Sequence, residues 1–184
     1  MARVVSIDPG VTGALTLIDT VALTLRAERM PTRVERRSRK DKTFIDEDAL
    51  TDLILAMKPD VAWIEDVFAI GRGNKGPEGR QDGVVGAFSF GEGKGVLKGV
   101  LGALRVPRRY ASPSVWKGKL GATSDKAQSK ALAHRFFPRS VPVLSSSGKA
   151  EAALIGLYGC LSDGLVFNTA YVVPEQHYGA KKTH

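Results

Sequence analysis

The chain has a single cysteine, Cys160, and three histidines in 184 residues. One thiol excludes an internal disulfide framework and a cysteine-rich zinc site, and the scattered histidines lack metal-ligand spacing. Any bound metal must therefore rely mainly on carboxylates. Long apolar runs are missing as well, none approaching the roughly 20 residues that a bilayer requires, so the expectation is a soluble protein with no membrane partner. No charged leader followed by an apolar core opens the sequence, which reads as intracellular. Acidic residues are the scarcer charge, 19 against 27 Lys and Arg, giving a net charge of +8 and a pI near 9.7. The excess is concentrated. From Gly93 to Ala150 twelve Lys and Arg face one acid, Asp125, while the remainder of the chain is net negative. That distribution favours a polyanionic partner, nucleic acid foremost.

What is present suits one α/β domain, with 43% hydrophobic residues. Arg3 to Ile7 is a β-branched run broken by Asp8-Pro9-Gly10, and Ala14 to Ile18 resumes it, which predicts two antiparallel strands. Val21 to Arg29 is read as a third. Thr32 to Lys42 packs six basic residues without an apolar period and is read, over about residues 32–43, as a mobile basic loop. Leu50, Leu53, Ile54 and Met57 have helical spacing between Asp46 and Lys58-Pro59. Val61 to Ile64 is then a short buried strand ending in Glu65-Asp66.

From Gly71 to Gly95 the chain is rich in Gly, Arg and Lys, and Val84 to Phe90 can begin a helix that continues through Val96, Val100, Leu101 and Leu104. Arg109 to Ala111 is a candidate edge strand, and Ser112-Pro113 opens a turn carrying Trp116 and Lys117. Ser124 is the expected N-cap for a helix from Asp125 to Phe137. The last strong helix runs from Lys149 to Cys160. A domain of residues 1–163 followed by a tail, 164–184, is the resulting division.

Asp8 and Glu65 each stand where a buried strand emerges, and Glu151 lies in the first turn of an Ala-rich helix whose small residues permit close approach to a sheet. Like charges brought together need a compensating cation, and carboxylates without His or Cys suit hard Mg²⁺ or Mn²⁺. Taken alone, Glu151 is better read as an acid favouring a helix N-terminus, and it is the other two positions that point to a metal.

In order, Val4-Val5-Ser6-Ile7-Asp8-Pro9-Gly10-Val11-Thr12-Gly13-Ala14, Ile64-Glu65-Asp66-Val67-Phe68 and Gly148-Lys149-Ala150-Glu151-Ala152-Ala153-Leu154-Ile155-Gly156 resemble the successive motifs of the RuvC family of Holliday junction resolvases, its phage and organellar members best. Phe88-Ser89-Phe90-Gly91, Ser112-Pro113-Ser114-Val115-Trp116-Lys117 and Asp125-Lys126 extend the likeness over roughly residues 3 to 160. The resemblance implies an RNase H-like mixed five-stranded sheet flanked by helices, a homodimer, and branched DNA as substrate. It implies two Mg²⁺ or Mn²⁺ ions per active site, serving two-metal phosphodiester hydrolysis. It also implies a setting in a bacterium, a phage-infected cell or an organelle. Asp8, Glu65 and Glu151 match the metal-binding carboxylates, and Lys126 and Lys117 stand where cations position the attacked phosphate.

Lys149 is a further DNA-binding candidate, as are Arg72, Arg80 and Lys94 in the Gly-rich stretch. Gly91-Glu92-Gly93-Lys94-Gly95 is expected to present backbone amides to phosphate. Phe68 occupies the place of an aromatic that stacks on an unpaired junction base. One position departs from the pattern: Ser147 stands where similar sequences carry a fourth metal-binding Asp, and a serine supplies no charge.

Three other readings remain open on the sequence. A junction-binding protein with an inactivated site is one, and an RNase H-type nuclease on RNA:DNA hybrids is another. Asp8-Pro9-Gly10-Val11-Thr12-Gly13 also resembles the first phosphate loop of sugar-kinase and actin-like ATPases, although no second phosphate motif accompanies it.

Overall fold

The computed structural model describes residues 2–37, 40–67 and 84–175. Its centre is a six-stranded mixed sheet. Three antiparallel strands come first: β1 (Arg3–Asp8), β2 (Ala14–Asp19) and β3 (Thr24–Arg29). β3 starts later than the apolar pattern suggests, because the Asp19 carboxylate accepts the amides of Val21 and Ala22 and holds them in a turn. The chain then forms a separate two-stranded ribbon, β4 (Thr32–Arg37) and β5 (Lys40–Ile45), where a mobile loop is expected from sequence. Charged side chains hide the period-2 pattern there, since a ribbon away from the main core needs no continuous apolar face.

Helix α1 (Glu47–Met57) is capped by Asp46, which accepts the amide of Ala49, and stops at Lys58 in the left-handed conformation before Pro59. β6 (Val61–Glu65) returns parallel to β1. Helix α2 (Val84–Ala103) is continuous through the Gly-rich run, so the amides of residues 91–95 lie within a helix and are not an open phosphate loop. β7 (Arg108–Ala111) adds parallel to β6 as the expected edge strand.

α3 (Pro113–Leu120) follows with Pro113 in its first turn. α4 (Lys126–Phe136) is capped by Asp125 and not by Ser124: the carboxylate accepts the amides of Ala127 and Gln128, and its charge adds to the favourable end of the helix dipole. α5 (Ser147–Ser162) begins two residues earlier than its apolar pattern, with Ser146 as its cap. Beyond it the chain makes a 3-10 turn at Thr169–Tyr171 and a two-residue strand, β8 (Val173–Pro174), parallel to β3. The sheet order is β7-β6-β1-β2-β3-β8; five of these strands are the expected set, and β8 is an addition from the segment after Asp163.

Strand alternation divides the apolar side chains between two layers. Val5, Ile7, Leu15, Leu17 and Ile64 pack against α1 and α2 through Leu50, Ile54, Met57, Leu97 and Leu101. Val4, Ile18, Leu25 and Trp63 pack on the other side against Trp116, Phe137, Ala153, Leu154 and Leu157. α5 lies unusually close to the sheet. A Cβ at Gly156 would come within 2.6 Å of Ser6 Oγ, and that hydroxyl donates to the Ala152 carbonyl at 2.6 Å. Among the described residues no helix is long and apolar enough to cross a membrane.

Candidate active site

Asp8 and Glu65 are the last residues of β1 and β6. The parallel register pairs Val4 with Val61 and Ile7 with Ile64, so the two acids follow at equivalent positions on neighbouring strands. Alternation then puts Asp8 on the same side as Val4 and Ser6, and Glu65 on the same side as Val61 and Trp63. That is the side covered by α5, whose first turns bring Glu151. The close approach is again permitted by glycine: a Cβ at Gly148 would lie 3.6 Å from Asp8 Oδ2 and 3.3 Å from the Thr12 carbonyl oxygen.

Burial and repulsion act together on these groups. The Asp8 carboxyl is pushed from 3.8 up to about 7, by burial first and then by the charges of Glu65 and Glu151, with Lys126 and Lys117 opposing. Glu65 is also raised, again by burial first; the Trp116 indole and Lys117 pull it down and Glu151 pushes it up. The indole Nε1–H of buried Trp116 donates to Glu65 Oε1 at 3.0 Å. Lys117 lies with its Nζ 5.3 Å from the centre of that indole ring. Trp116 thus orients a carboxylate, a role that its helical spacing in the sequence did not indicate.

Among the described residues no three His, Cys, Asp or Glu side chains close into a ready cage for a metal ion. The donor chemistry nevertheless fits a divalent cation. Carboxylates that raise one another's proton affinity gain most from a positive charge placed among them, and Mg²⁺ is commonly held by one or two carboxylates, water and substrate phosphate, without an all-protein cage. Asp8, Glu65 and Glu151 are the residues that would hold it.

The remaining candidates separate. Lys126 is exposed at the first position of α4, and Lys117 is half-buried in α3; both act on Asp8 through their charge. Lys149 stands in the first turn of α5, its carbonyl accepting from Thr16 Oγ1 at 3.3 Å. Ser147 is the first residue of α5, four positions before Glu151, and supplies no charge there. Lys94 has an internal partner: its Nζ binds Asp66 Oδ1 at 3.0 Å and the Val67 carbonyl at 2.9 Å, which fastens α2 to the exit of β6. A largely buried ammonium needs such a counter-charge, so in the protein alone Lys94 has internal partners. Phe68, Arg72 and Arg80 lie outside the described residues. Asp163 stands at the far end of α5, where it accepts from the Trp63 indole at 3.1 Å and pairs with Arg109, so it does not substitute for an acid at position 147.

The strand order β3-β2-β1-β6-β7, with carboxylates at the ends of the two central parallel strands, defines an RNase H-like α/β fold of the RuvC type. Two solved structures share it. Thermus thermophilus RuvC in complex with a Holliday junction substrate matches with a TM-score of 0.52 at 16% identity, over 90% of this chain and 98% of that one. The Thermus thermophilus RuvC structure matches with a TM-score of 0.50 at 16% identity and the same coverage. At this identity the likeness establishes the fold. No family model matches the sequence, and no curated protein matches it.

Proposed function

We propose that this chain is a divalent-metal-dependent endonuclease that resolves four-way DNA junctions, from the phage or organellar branch of the RuvC-like resolvases. The observation that carries the reading is the electrostatic coupling of Asp8, Glu65 and Glu151 on the α5 side of a RuvC-like sheet, opposed by Lys117 and Lys126. Two bound Mg²⁺ or Mn²⁺ ions would supply an activated water and charge stabilisation for the leaving oxygen. The chain's own part is to hold those ions with three carboxylates, to keep Glu65 oriented through Trp116, and to set the attacked phosphate against Lys117 and Lys126. A homodimer would bring two such sites to opposite strands. The exposed Phe88 on α2 belongs to the surface proposed for that contact.

Ser147 favours a second reading, a junction-binding protein whose site lacks one acid. The test is cleavage of labelled four-way junction, matched duplex and RNA:DNA hybrid with Mg²⁺ or Mn²⁺, by the protein and by its Asp8→Asn and Ser147→Asp variants. Cutting of the junction alone, lost in Asp8→Asn, is the expected result. Tight binding without cutting, converted to cutting by Ser147→Asp, would establish the second reading. Preferential cutting of the hybrid would replace the substrate.

A further inference from the structure

The two acids at strand ends are secured differently. After Asp8 the chain turns at once, the Gly13 amide donating to the Gly10 carbonyl at 3.1 Å, and re-enters the sheet as β2, where Ala14 pairs with Asp8. After Glu65 the chain leaves the sheet. Among the described residues, the last backbone bond between this exit and the sheet runs from the Asp66 amide to the Ala111 carbonyl at 2.8 Å.

Lys94 takes over from there. Its Nζ donates to Asp66 Oδ1 at 3.0 Å and to the Val67 carbonyl at 2.9 Å, so one side chain of α2 holds both residues that follow Glu65, the first by its carboxylate and the second by its backbone. The lysine side chain is 13% exposed and lines a cleft with Val67, Phe90, Gly91 and Gly95. An ammonium that has given up most of its water keeps its place by such acceptors, which makes the contact more than a loose surface ion pair.

The end of β6 is therefore gripped twice. Trp116 donates to the Glu65 carboxylate itself at 3.0 Å, while Lys94 fixes the chain directly behind it from α2. We infer that Lys94 is a positioning residue for Glu65: by holding Asp66 and Val67 it fixes the backbone from which Glu65 extends, and so sets the geometry in which that carboxylate meets a divalent cation. The inference rests on the proposed metal-dependent function. Its physical basis is that a ligand misplaced by about 1 Å loses much of its effect, and that groups orienting a metal ligand typically cost about 10–100-fold in metal affinity or activity when removed. Lys94 also balances the charge of Asp66, one residue from Glu65, so a test must separate the tether from the charge.

The experiment compares the wild type with Lys94→Met, Lys94→Arg and the double variant K94M/D66N. It measures Mn²⁺ affinity of the free protein by calorimetry, junction binding across a salt series without divalent metal, and single-turnover junction cleavage at saturating protein. Lys94→Met is expected to bind Mn²⁺ about 10-fold more weakly and to cut roughly 10- to 100-fold more slowly, with the junction Kd and its salt slope unchanged. Lys94→Arg, which keeps donors for both acceptors, is expected to recover most of both losses. The double variant leaves no unpaired charge but still lacks the tether, and is expected to stay weak and slow. Its full recovery would reduce Lys94 to balancing charge and overturn the inference. Weaker junction binding with a smaller salt slope and wild-type Mn²⁺ affinity would make Lys94 a phosphate contact and also overturn it. A lowered melting temperature with unchanged Mn²⁺ affinity and unchanged rate per folded molecule would do the same, leaving only a structural role. Wild-type protein that binds Mn²⁺ but never cuts a junction would sink the nuclease reading, while the Mn²⁺ comparison would still decide the role of Lys94. Wild-type protein that binds no Mn²⁺ would overturn both.

Discussion

On one side of the central sheet, Val5, Ile7, Leu15, Leu17, Ala62 and Ile64 pack with apolar side chains from α1 and α2 and with Met30 and Ile45. On the other side, the alternate positions of the same strands read Val4, Ser6, Asp8 and Val61, Trp63, Glu65, apolar at one end and acidic at the other. The strands are shared, so the two sides differ by one step of the backbone pleat. The contrast shows how a fold separates its tasks: the α1–α2 side stabilises, while the α5 side stabilises at one end and gathers charge at the other.

The largest test of that division is Asp8→Asn, expected to lower junction cleavage by about 1,000-fold or more, equivalent to about 4 kcal/mol of barrier, with no loss of folded protein by circular dichroism. Leu97→Ala breaks the opposite side. It is expected to cost about 2–5 kcal/mol in denaturant unfolding while the cleavage rate per folded molecule stays unchanged.

The third test reads the charge directly. Because the folded Asp8 carboxyl holds its proton up to about 7 against 3.8 for the ordinary group, this residue's contribution to stability falls as pH rises from about 4 to about 7 and is constant above that. Melting curves should show Asp8→Asn gaining relative to wild type across that window, by on the order of 2–4 kcal/mol, with Mg²⁺ narrowing the gap at pH 8. The smallest effect is expected from Trp116→Phe, which keeps the packing but removes the donor to Glu65; a fall of roughly 10-fold in cleavage at constant substrate binding would mark the indole as a positioning group.

Asp8 and Glu65 were legible in the sequence because a carboxylate directly after a buried strand is conspicuous, and parallel pairing brings such ends together. Glu151 was legible from the small residues of its helix, of which Gly156 and Gly159 let α5 approach Ser6 and Trp63. Other features depend on partners distant along the chain. Lys94 reads as free until Asp66, 28 positions earlier, is seen beside it, and Trp116 donates to an acid 51 positions away. The ribbon escaped notice for a different reason: its strands are held by backbone pairing and a buried foot at Phe44 and Ile45, and its charged positions give no hydrophobic rhythm. The Gly-rich run is continuous helix, as the apolar spacing on either side of it implies, and helical pairing takes up the amides that its glycines suggest are open to phosphate.

The hydroxyl of Ser6 donates to the carbonyl of Ala152, a bond closing 146 positions of chain. A ribosome making this protein releases Asp8 early, Glu65 later and Glu151 near the end. Until α5 has emerged and docked, the nascent chain has two of the three acids and no helix to bring the third. Such long-range closure is slow to form, and a truncated or half-made molecule has not yet gathered the three carboxylates on one side of the sheet.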